Sequence, residues 1–319
     1  MKNGEGKNMY NRILITGGNG FVGKNLVPYL AERSYLPYCP SSFQLDLLNF
    51  NRTKEFFKNI KPDCIIHLAA TCGGIGANAK ASGTFMRNNL TMGLNLINTA
   101  LDIGCVRKFI MVGTVCSYPC NTPIPFKEEN LWNGYPEKTN AGYGISKKTL
   151  IELLQAYNKQ FGFNSVNLLP ANMYGNEDHF NLTTSHIIPA IILKVQDAID
   201  RKSNDIVLWG TGKPTRDFLH VSDFCHAVFL ALEKEPGPEP INIGTGKETS
   251  IIDVTSKICE IMGFNGKILY DSARPDGQPR RCLDITRGKN KLGYAPQINL
   301  YNGLVDTINW FHDNKKSIL

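Results

Sequence analysis

The chain has 319 residues, of which 42% are hydrophobic and 20% charged, and a formal net charge of +7. This is an ordinary globular composition, large enough for one domain or two lobes, with no apolar run near the ~20 residues that span a bilayer. No dense Lys/Arg stripe with interleaved aromatics points to nucleic acid, and the nine cysteines lack paired or Cys-x-x-Cys spacing, which argues against disulfides and a metal site.

The start, Met1-Lys2-Asn3-Gly4-Glu5-Gly6-Lys7, lacks the apolar core of a signal peptide, so a cytoplasmic location without membrane attachment is expected. The first element is a strand, Arg12-Ile13-Leu14-Ile15-Thr16. Next comes Gly17-Gly18-Asn19-Gly20-Phe21-Val22-Gly23, with Gly-x-x-Gly-x-x-Gly spacing, and then an amphipathic helix from Lys24 to Leu30. In such a unit Gly17 permits the turn, Gly20 lets a pyrophosphate approach the backbone and Gly23 lets helix and strand pack closely. Free N–H groups at the helix start, around Asn19, Phe21 and Val22, then face the anion.

Tyr35 to Cys39 is expected to be a second strand, ended by Pro40-Ser41-Ser42. At this point of a dinucleotide fold an acid selects the ribose 2′-hydroxyl, and its absence leaves room for a 2′-phosphate. Ser41 and Ser42 therefore lean toward NADP over NAD, although no arginine is there to clamp the phosphate. Asp46, beside Leu47, is a candidate for the adenine edge or a solvent-facing turn acid. Thr53 to Ile60 reads as a helix, and Asp63 to Ala70 as a buried strand whose small end, Leu68-Ala69-Ala70, lets a cofactor lie across it. His67 reads as a strand-end histidine with a satisfied hydrogen bond.

An amphipathic helix from Thr84 to Ile103 precedes a strand from Lys108 to Gly113, and the alternation to about residue 175 gives an α/β, doubly wound parallel sheet of Rossmann type. Later elements are a helix from about Ile187 to Ile199, a segment Ile206 to Gly210, and a strand from Arg216 entering a capped helix that runs through Leu232. Glu233 to Pro240 is the best linker candidate. The rest, with strand-like Ile241-Asn242-Ile243, is expected to be a smaller α/β C-terminal substrate lobe. The expected division is 11–175 plus about 215–235 for the dinucleotide, and about 176–214 plus 236–319 for the substrate.

Tyr143-Gly144-Ile145-Ser146-Lys147 puts a phenol and an ammonium four residues apart on one helix face. A nearby cation favours the phenolate, bringing the tyrosine down from its ordinary pKa of about 10. The pair alone arises roughly once by chance in a chain of this composition. Its context is a strand ending Val112-Gly113-Thr114, whose hydroxyl could share a substrate carbonyl oxygen with Tyr143.

The Thr16 to Gly23 fingerprint, the Thr114 hydroxyl and the Tyr143/Lys147 pair together resemble the extended short-chain dehydrogenase/reductases that act on nucleotide sugars. More narrowly, five stretches are similar to the GDP-L-fucose synthase family: His67-Leu68-Ala69-Ala70-Thr71-Cys72-Gly73-Gly74-Ile75, Cys116-Ser117-Tyr118-Pro119, Pro170-Ala171-Asn172-Met173-Tyr174-Gly175, Ser185 to Ala190, and Trp209 to Arg216. The resemblance runs from about Asn11 over nearly the whole chain.

It implies a GDP-4-keto-6-deoxy-hexose substrate, inverted at C3 and C5 and then reduced at C4 with NADPH, most simply to GDP-L-fucose. Cys116 and His186 match the proton-transfer positions, Thr114 and Tyr143 would hold the carbonyl oxygen, and Lys147 would support Tyr143 as proton donor. Val112, Gly113, Pro170, Asn172, Met173 and His186 would line the nicotinamide half. Asn172, Lys194, Trp209, Arg216, Asp276 and Arg281 match nucleotide- or sugar-side positions, with a salt bridge to Asp217 or Asp223 as the alternative for Arg216. A homodimer through the helices near Thr84 to Ile103 and Lys147 to Phe161 is also implied.

Thr114 and Val115 replace a usual pair of serines, and Lys194 stands where arginine is common, exchanging a bidentate fork for a point charge. A C4-reductase or epimerase alone, on a related GDP-sugar such as a GDP-heptose, would keep the same motifs. An inactive dinucleotide-sensing protein is the alternative from another class. Retention of both Cys116 and His186 favours the combined reaction.

Overall fold

A computed structural model of the chain describes residues 9–318, with Thr183 and Pro275 excepted; Met1 to Lys7, the stretch read for a leader, lies outside the described residues. The first half runs β1 (Ile13–Thr16), α1 (Phe21–Ala31), α2 (Phe50–Ile60), β2 (Cys64–His67), α3 (Ile75–Lys80), α4 (Ser82–Ile103), β3 (Lys108–Val112), α5 (Ala141–Phe161), β4 (Ser165–Pro170) and β5 (Asn172–Tyr174). The second half runs α6 (Ile187–Asp200), β6 (Asp205–Trp209), β7 (Thr215–Arg216), β8 (Phe218–His220), α7 (Val221–Glu233), β9 (Pro240–Ile243), β10 (Thr249–Ser250), α8 (Ile251–Met262), β11 (Lys267–Asp271), β12 (Arg280–Arg281), α9 (Thr286–Leu292) and α10 (Leu300–Ile318).

The doubly wound parallel sheet is present, in the order β1-β2-β3-β4-β9. Every residue of β1, β2 and β3 is buried, as expected of short apolar strands covered by helices on both faces. Tyr35 to Cys39 shrinks to a single bridge on the far edge of β1, where Tyr38 N–H donates to Ile13 O and its carbonyl accepts from Ile15 N–H. Pro37 and Pro40 flank Tyr38 and have no N–H to extend the ladder. The chain thus leaves β1 toward Tyr38 on one side and returns to β2 on the other, which opens a crevice at the carboxyl ends of β1 and β2.

Ile241-Asn242-Ile243, expected in the smaller lobe, instead forms β9 at the edge of this sheet, with Leu168 opposite Ile241. Its central asparagine is buried because every polar group finds a partner. Tyr118 hydroxyl donates to Asn242 Oδ1 at 2.8 Å, Nδ2 donates to the Phe126 and Asp284 carbonyls, and the backbone N–H donates to Glu128. The segment read as a linker is therefore a connection within the sheet, from α7 to β9. Lys108, wholly buried at the start of β3, donates from Nζ to the carbonyls of Ala231, Leu232 and Lys234 and pairs with Glu235 at 2.9 Å. A cation there satisfies the free carbonyls at the end of α7 and suits the helix dipole.

A second apolar core forms where α6, α8 and α10 meet β6, around Ile188, Ile192, Val254, Ile258, Leu304 and Phe311. β6 pairs with β11 in parallel, β7 lies between β10 and β12, and β5 pairs with β8. On the outer face of the main sheet α4 and α5 approach closely, because a Cβ at Gly93 would stand 2.2 Å from a Leu150 methyl. Among the described residues no helix is long and apolar enough to cross a membrane.

Candidate active site

The glycine turn sits at the carboxyl end of β1. Gly17 has a φ of +74°, and a Cβ on it would lie 2.7 Å from Ala69 N, so both the conformation and the proximity of β2 require glycine. Gly23 packs against the turn itself rather than against the strand: its Cβ would meet Gly18 Cα at 2.4 Å. At Gly20 the nearest atom to a Cβ is Gly17 O at 3.3 Å, and no side chain caps the N–H groups of α1. The mouth of the turn is therefore open, lined by exposed Asn19 and half-buried Phe21 and Val22.

Farther along the crevice Leu68, Ala69 and Ala70 are half-buried, while Val112 and Gly113 are buried. At the end expected to take adenosine, Ser41 Oγ accepts from Gln44 N–H at 3.4 Å, Ser42 is exposed, and Leu47 is fixed by Asn95 Nδ2 donating to its carbonyl. Asp46 Oδ1 accepts from Leu48 N–H at 3.0 Å, the geometry of a turn acid, with the side chain still half-buried.

Tyr143 and Lys147 project from the first turns of α5. The Tyr143 phenol lies beside the Thr114 hydroxyl, whose oxygen accepts from Cys116 N–H at 3.1 Å. Burial, then the Cys72 and Cys116 thiols, push the phenol well above its ordinary pKa, with Thr114 opposing. The expected lowering by Lys147 is not what the geometry gives, because the ammonium acts on His67 and Cys72 instead. Lys147 is 2% exposed, has no hydrogen-bond partner among the described residues, and burial pushes it down to about 8. His67 is the satisfied histidine expected: Nδ1 and Thr16 Oγ1 are 2.7 Å apart, and burial with the Lys147 charge holds the ring neutral.

Cys116 lies two residues beyond Thr114, and Arg281 Nη1 donates to its sulfur at 3.4 Å. Arg281 is aligned by Gln278, whose Oε1 accepts from Nε at 2.7 Å while its Nε2 donates to Cys120 O. Arg216 is 3% exposed and pushed down to about 9, first by burial and then by Arg281. It has no salt bridge with Asp217 or Asp223. Asp217 is occupied by Thr245 and Gly246, and Asp223 by the N–H groups of Gln297 and Ile298. Two buried guanidiniums without a carboxylate partner make a strong anion site.

His186 stands at the start of α6, its ring reached by solvent but walled by protein, which lowers its pKa, with His179 adding to the effect. Asn172 and Met173 are half-buried on β5, beside buried Pro170, and Asn172 Oδ1 has no partner.

Lys194 and Arg274 both lie over the exposed Trp209 ring, at 5.5 and 4.9 Å from its centroid, and Lys194 Nζ donates to Val207 O. Asp276 is engaged within the protein, accepting from both the N–H and the hydroxyl of Thr211. It therefore shapes the loop after β6 rather than offering a free carboxylate. Arg274, Gln278 and Cys72 were missed by sequence reading. Cys72 lies inside a motif that was singled out, whereas nothing local marks the other two.

The open turn, the unpartnered Lys147 ammonium and the unpaired Asn172 oxygen fit a pyridine dinucleotide running from Gly20 to β5. Among the described residues no group of three or more His, Cys, Asp or Glu could hold a metal ion.

The model of the NAD dependent epimerase/dehydratase family matches residues 13–244. A GDP-L-fucose synthase of Sinorhizobium fredii (strain NBRC 101917 / NGR234) is 37% identical over 303 residues, 95% of this chain and 96% of the relative. The GDP-L-fucose synthase of Escherichia coli (strain K12) is 34% identical over 314 residues, 95% of this chain and 97% of the relative. Among solved structures, a GDP-L-fucose synthetase from Naegleria fowleri bound to NADP superposes with a TM-score of 0.86 at 26% identity, covering 96% of this chain and 95% of that one. A GDP-6-OMe-4-keto-L-xylo-heptose reductase from C. jejuni gives 0.87 at 27% identity, covering 96% and 98%.

Proposed function

Because the chain belongs to the NAD dependent epimerase/dehydratase family, we propose that it epimerises and reduces a GDP-4-keto-6-deoxy-hexose with NADPH, giving GDP-L-fucose. The observation that carries this reading is the meeting of two chemistries at one point. Tyr143 lies beside the Thr114 hydroxyl, as a carbonyl reductase requires, and Cys116, whose N–H is bonded to that same hydroxyl, brings a thiol to the same place, which a reductase alone does not need.

NADPH, when bound, supplies the hydride to C4. Gly17, Gly20 and the N–H groups of α1 would hold its pyrophosphate, and Lys147 would donate to its ribose hydroxyls. Arg216 and Arg281 take the GDP diphosphate, while Trp209, between Lys194 and Arg274, is a stacking platform for the base. The C4 carbonyl acidifies the protons on C3 and C5. Cys116, as the thiolate, removes one, the electron pair moves to the C4 oxygen held by Thr114 and Tyr143, the protonated His186 ring gives a proton to carbon from the opposite face, and proton exchange with solvent resets both groups before the second centre. After both centres are inverted, Tyr143 gives its phenol proton to the C4 oxygen. A homodimer through the outer faces of α4 and α5 is supported by exposed Leu94 on α4 and Phe161 on α5, with exposed Trp132 and Tyr135 in the segment before α5.

The test is NADPH oxidation with GDP-4-keto-6-deoxy-D-mannose in deuterated water, with NMR of the product. Deuterium at C3 and C5 of GDP-L-fucose is expected. Oxidation without deuterium uptake reduces the enzyme to a C4 reductase of the heptose-reductase kind, and absence of turnover overturns the assignment of the sugar.

A further inference from the structure

The ribbon of β6 and β11 has two unlike faces. The strands pair in parallel, with Val207 opposite Leu269, Leu208 opposite Tyr270 and Trp209 opposite Asp271, so their side chains alternate in the same phase. Ile206, Leu208, Ile268 and Tyr270 turn toward the second core, and Val207, Trp209, Leu269 and Asp271 share the other face. There Val207, Trp209 and Leu269 stand exposed together, an apolar floor that ends in an acid.

That acid is fixed by its own turn. The Asp271 carbonyl accepts from Gly210 N–H at 2.9 Å and Arg274 N–H at 3.1 Å, and its Oδ1 accepts from Ala273 N–H at 3.1 Å. Oδ2 makes no hydrogen bond among the described residues; Arg274 Nε, at 3.7 Å, is an ion-pair neighbour only. The side chain is 39% exposed, which leaves the carboxylate within reach of a ligand. The same Arg274 guanidinium lies 4.9 Å from the centre of the Trp209 ring, so one side chain bridges the carboxylate and the aromatic face. Asp276, the other acid at this end of β6, has both oxygens bonded by Thr211.

We propose that Asp271 reads the base of the nucleotide substrate as guanine, through the pair of donors on its Watson–Crick edge; this rests on the GDP-sugar reading, in which the base stacks on Trp209. Guanine presents N1–H and one N–H of its N2 amine side by side, two donors that match the two lone-pair-bearing oxygens of a carboxylate. Adenine and cytosine put an unprotonated ring nitrogen on that edge, which would face the carboxylate lone pairs, and uracil flanks its single N–H with two carbonyls. The aromatic ring cannot make this choice, because every base has a π-face to stack. Specificity therefore falls to the carboxylate, which attracts one edge and repels the others.

The experiment is calorimetric titration of GDP, inosine 5′-diphosphate and UDP into the NADP-loaded wild type and Asp271→Asn. Inosine diphosphate is GDP without the N2 amine, so it isolates one of the two donors. The wild type is expected to bind GDP about tenfold or more tightly than inosine diphosphate, the worth of one hydrogen bond to a charged acceptor. Asp271→Asn keeps an oxygen for Ala273 N–H and places an amide where the second oxygen stood. Its GDP to inosine diphosphate ratio should fall to within about twofold of one, with NADP affinity unchanged.

A wild type that prefers GDP to UDP but binds GDP and inosine diphosphate equally overturns the proposal and leaves the GDP-sugar reading in place. Asp271→Asn retaining the wild-type ratio does the same. A wild type that binds UDP as tightly as GDP, or binds neither, overturns the GDP-sugar reading and the proposal with it.

Discussion

At the dinucleotide end of the cleft the chain makes room by leaving side chains out. Gly17, Gly20 and Gly23 bring backbone against backbone, and the groups proposed to bind are N–H dipoles that exist in any helix start. At the end proposed for the sugar it crowds reactive side chains together. Tyr143, Cys116, Arg216 and Arg281 come from separate segments, and the two guanidiniums are buried without a carboxylate partner. The first end is cheap in stability and tolerant of its neighbours. The second is held in a strained electrostatic state by packing around it, the usual condition of a site that must stabilise charge as it develops.

The contrast breaks most sharply at Tyr143. Tyr143→Phe should lower NADPH oxidation by about 10²- to 10⁴-fold while deuterium exchange into the keto substrate persists. Oxidation within tenfold of the wild type would remove Tyr143 from its role.

Next is the stored cost at Lys147. Its folded pKa is depressed to about 8, so the penalty of the buried ammonium is fully present below pH 8 and is relieved as pH rises toward 10.5. Lys147→Met should therefore stabilise the ligand-free protein by roughly 3 kcal/mol at pH 7, with the gain shrinking above pH 8, while activity is lost. Urea unfolding at pH 7 and pH 10 measures this, and a destabilised variant at pH 7 would refute it.

At the other end, Gly23→Ala forces a methyl to within 2.4 Å of Gly18 Cα, where only backbone can yield. A loss of about 1–3 kcal/mol in denaturant unfolding, with weaker NADPH binding, is expected; unchanged stability would show that the turn is more pliable than its packing indicates. The smallest change sharpens the comparison. Ser42→Arg, adding a fork at the exposed adenosine end, should raise the preference for NADPH over NADH by a few-fold, on the order of one charge-assisted hydrogen bond. Equal gains for both cofactors would place the 2′-phosphate elsewhere.

This same division decided what could be read from the sequence. The turn from Gly17 to Gly23 and the pair Tyr143/Lys147 are local, and spacing alone places them on a turn and a helix face. Thr114 is legible from its place at a strand end before the pair, whereas Cys116 becomes meaningful only as part of a resemblance. The Arg281 contact to Cys116, the Gln278 clamp and the Arg274 stack on Trp209 depend on side chains far apart in sequence, which no periodicity encodes. The polar Asn242 hid a buried strand for a related reason. Its partners, Tyr118, Phe126, Glu128 and Asp284, are distant, so an isolated reading sees only an interruption in an apolar run. Asp276 matched a family position, yet its two bonds to Thr211 became visible only in three dimensions.

The Lys108 contact to the end of α7 also bears on how the molecule opens. The last turn of a helix is normally the first part to fray, but here its carbonyls are tied to the first residue of a central strand. Amide hydrogens at the end of α7 should therefore exchange at the slow rate of the sheet, making that turn part of the global unfolding unit and anchoring the entry to β9 behind it.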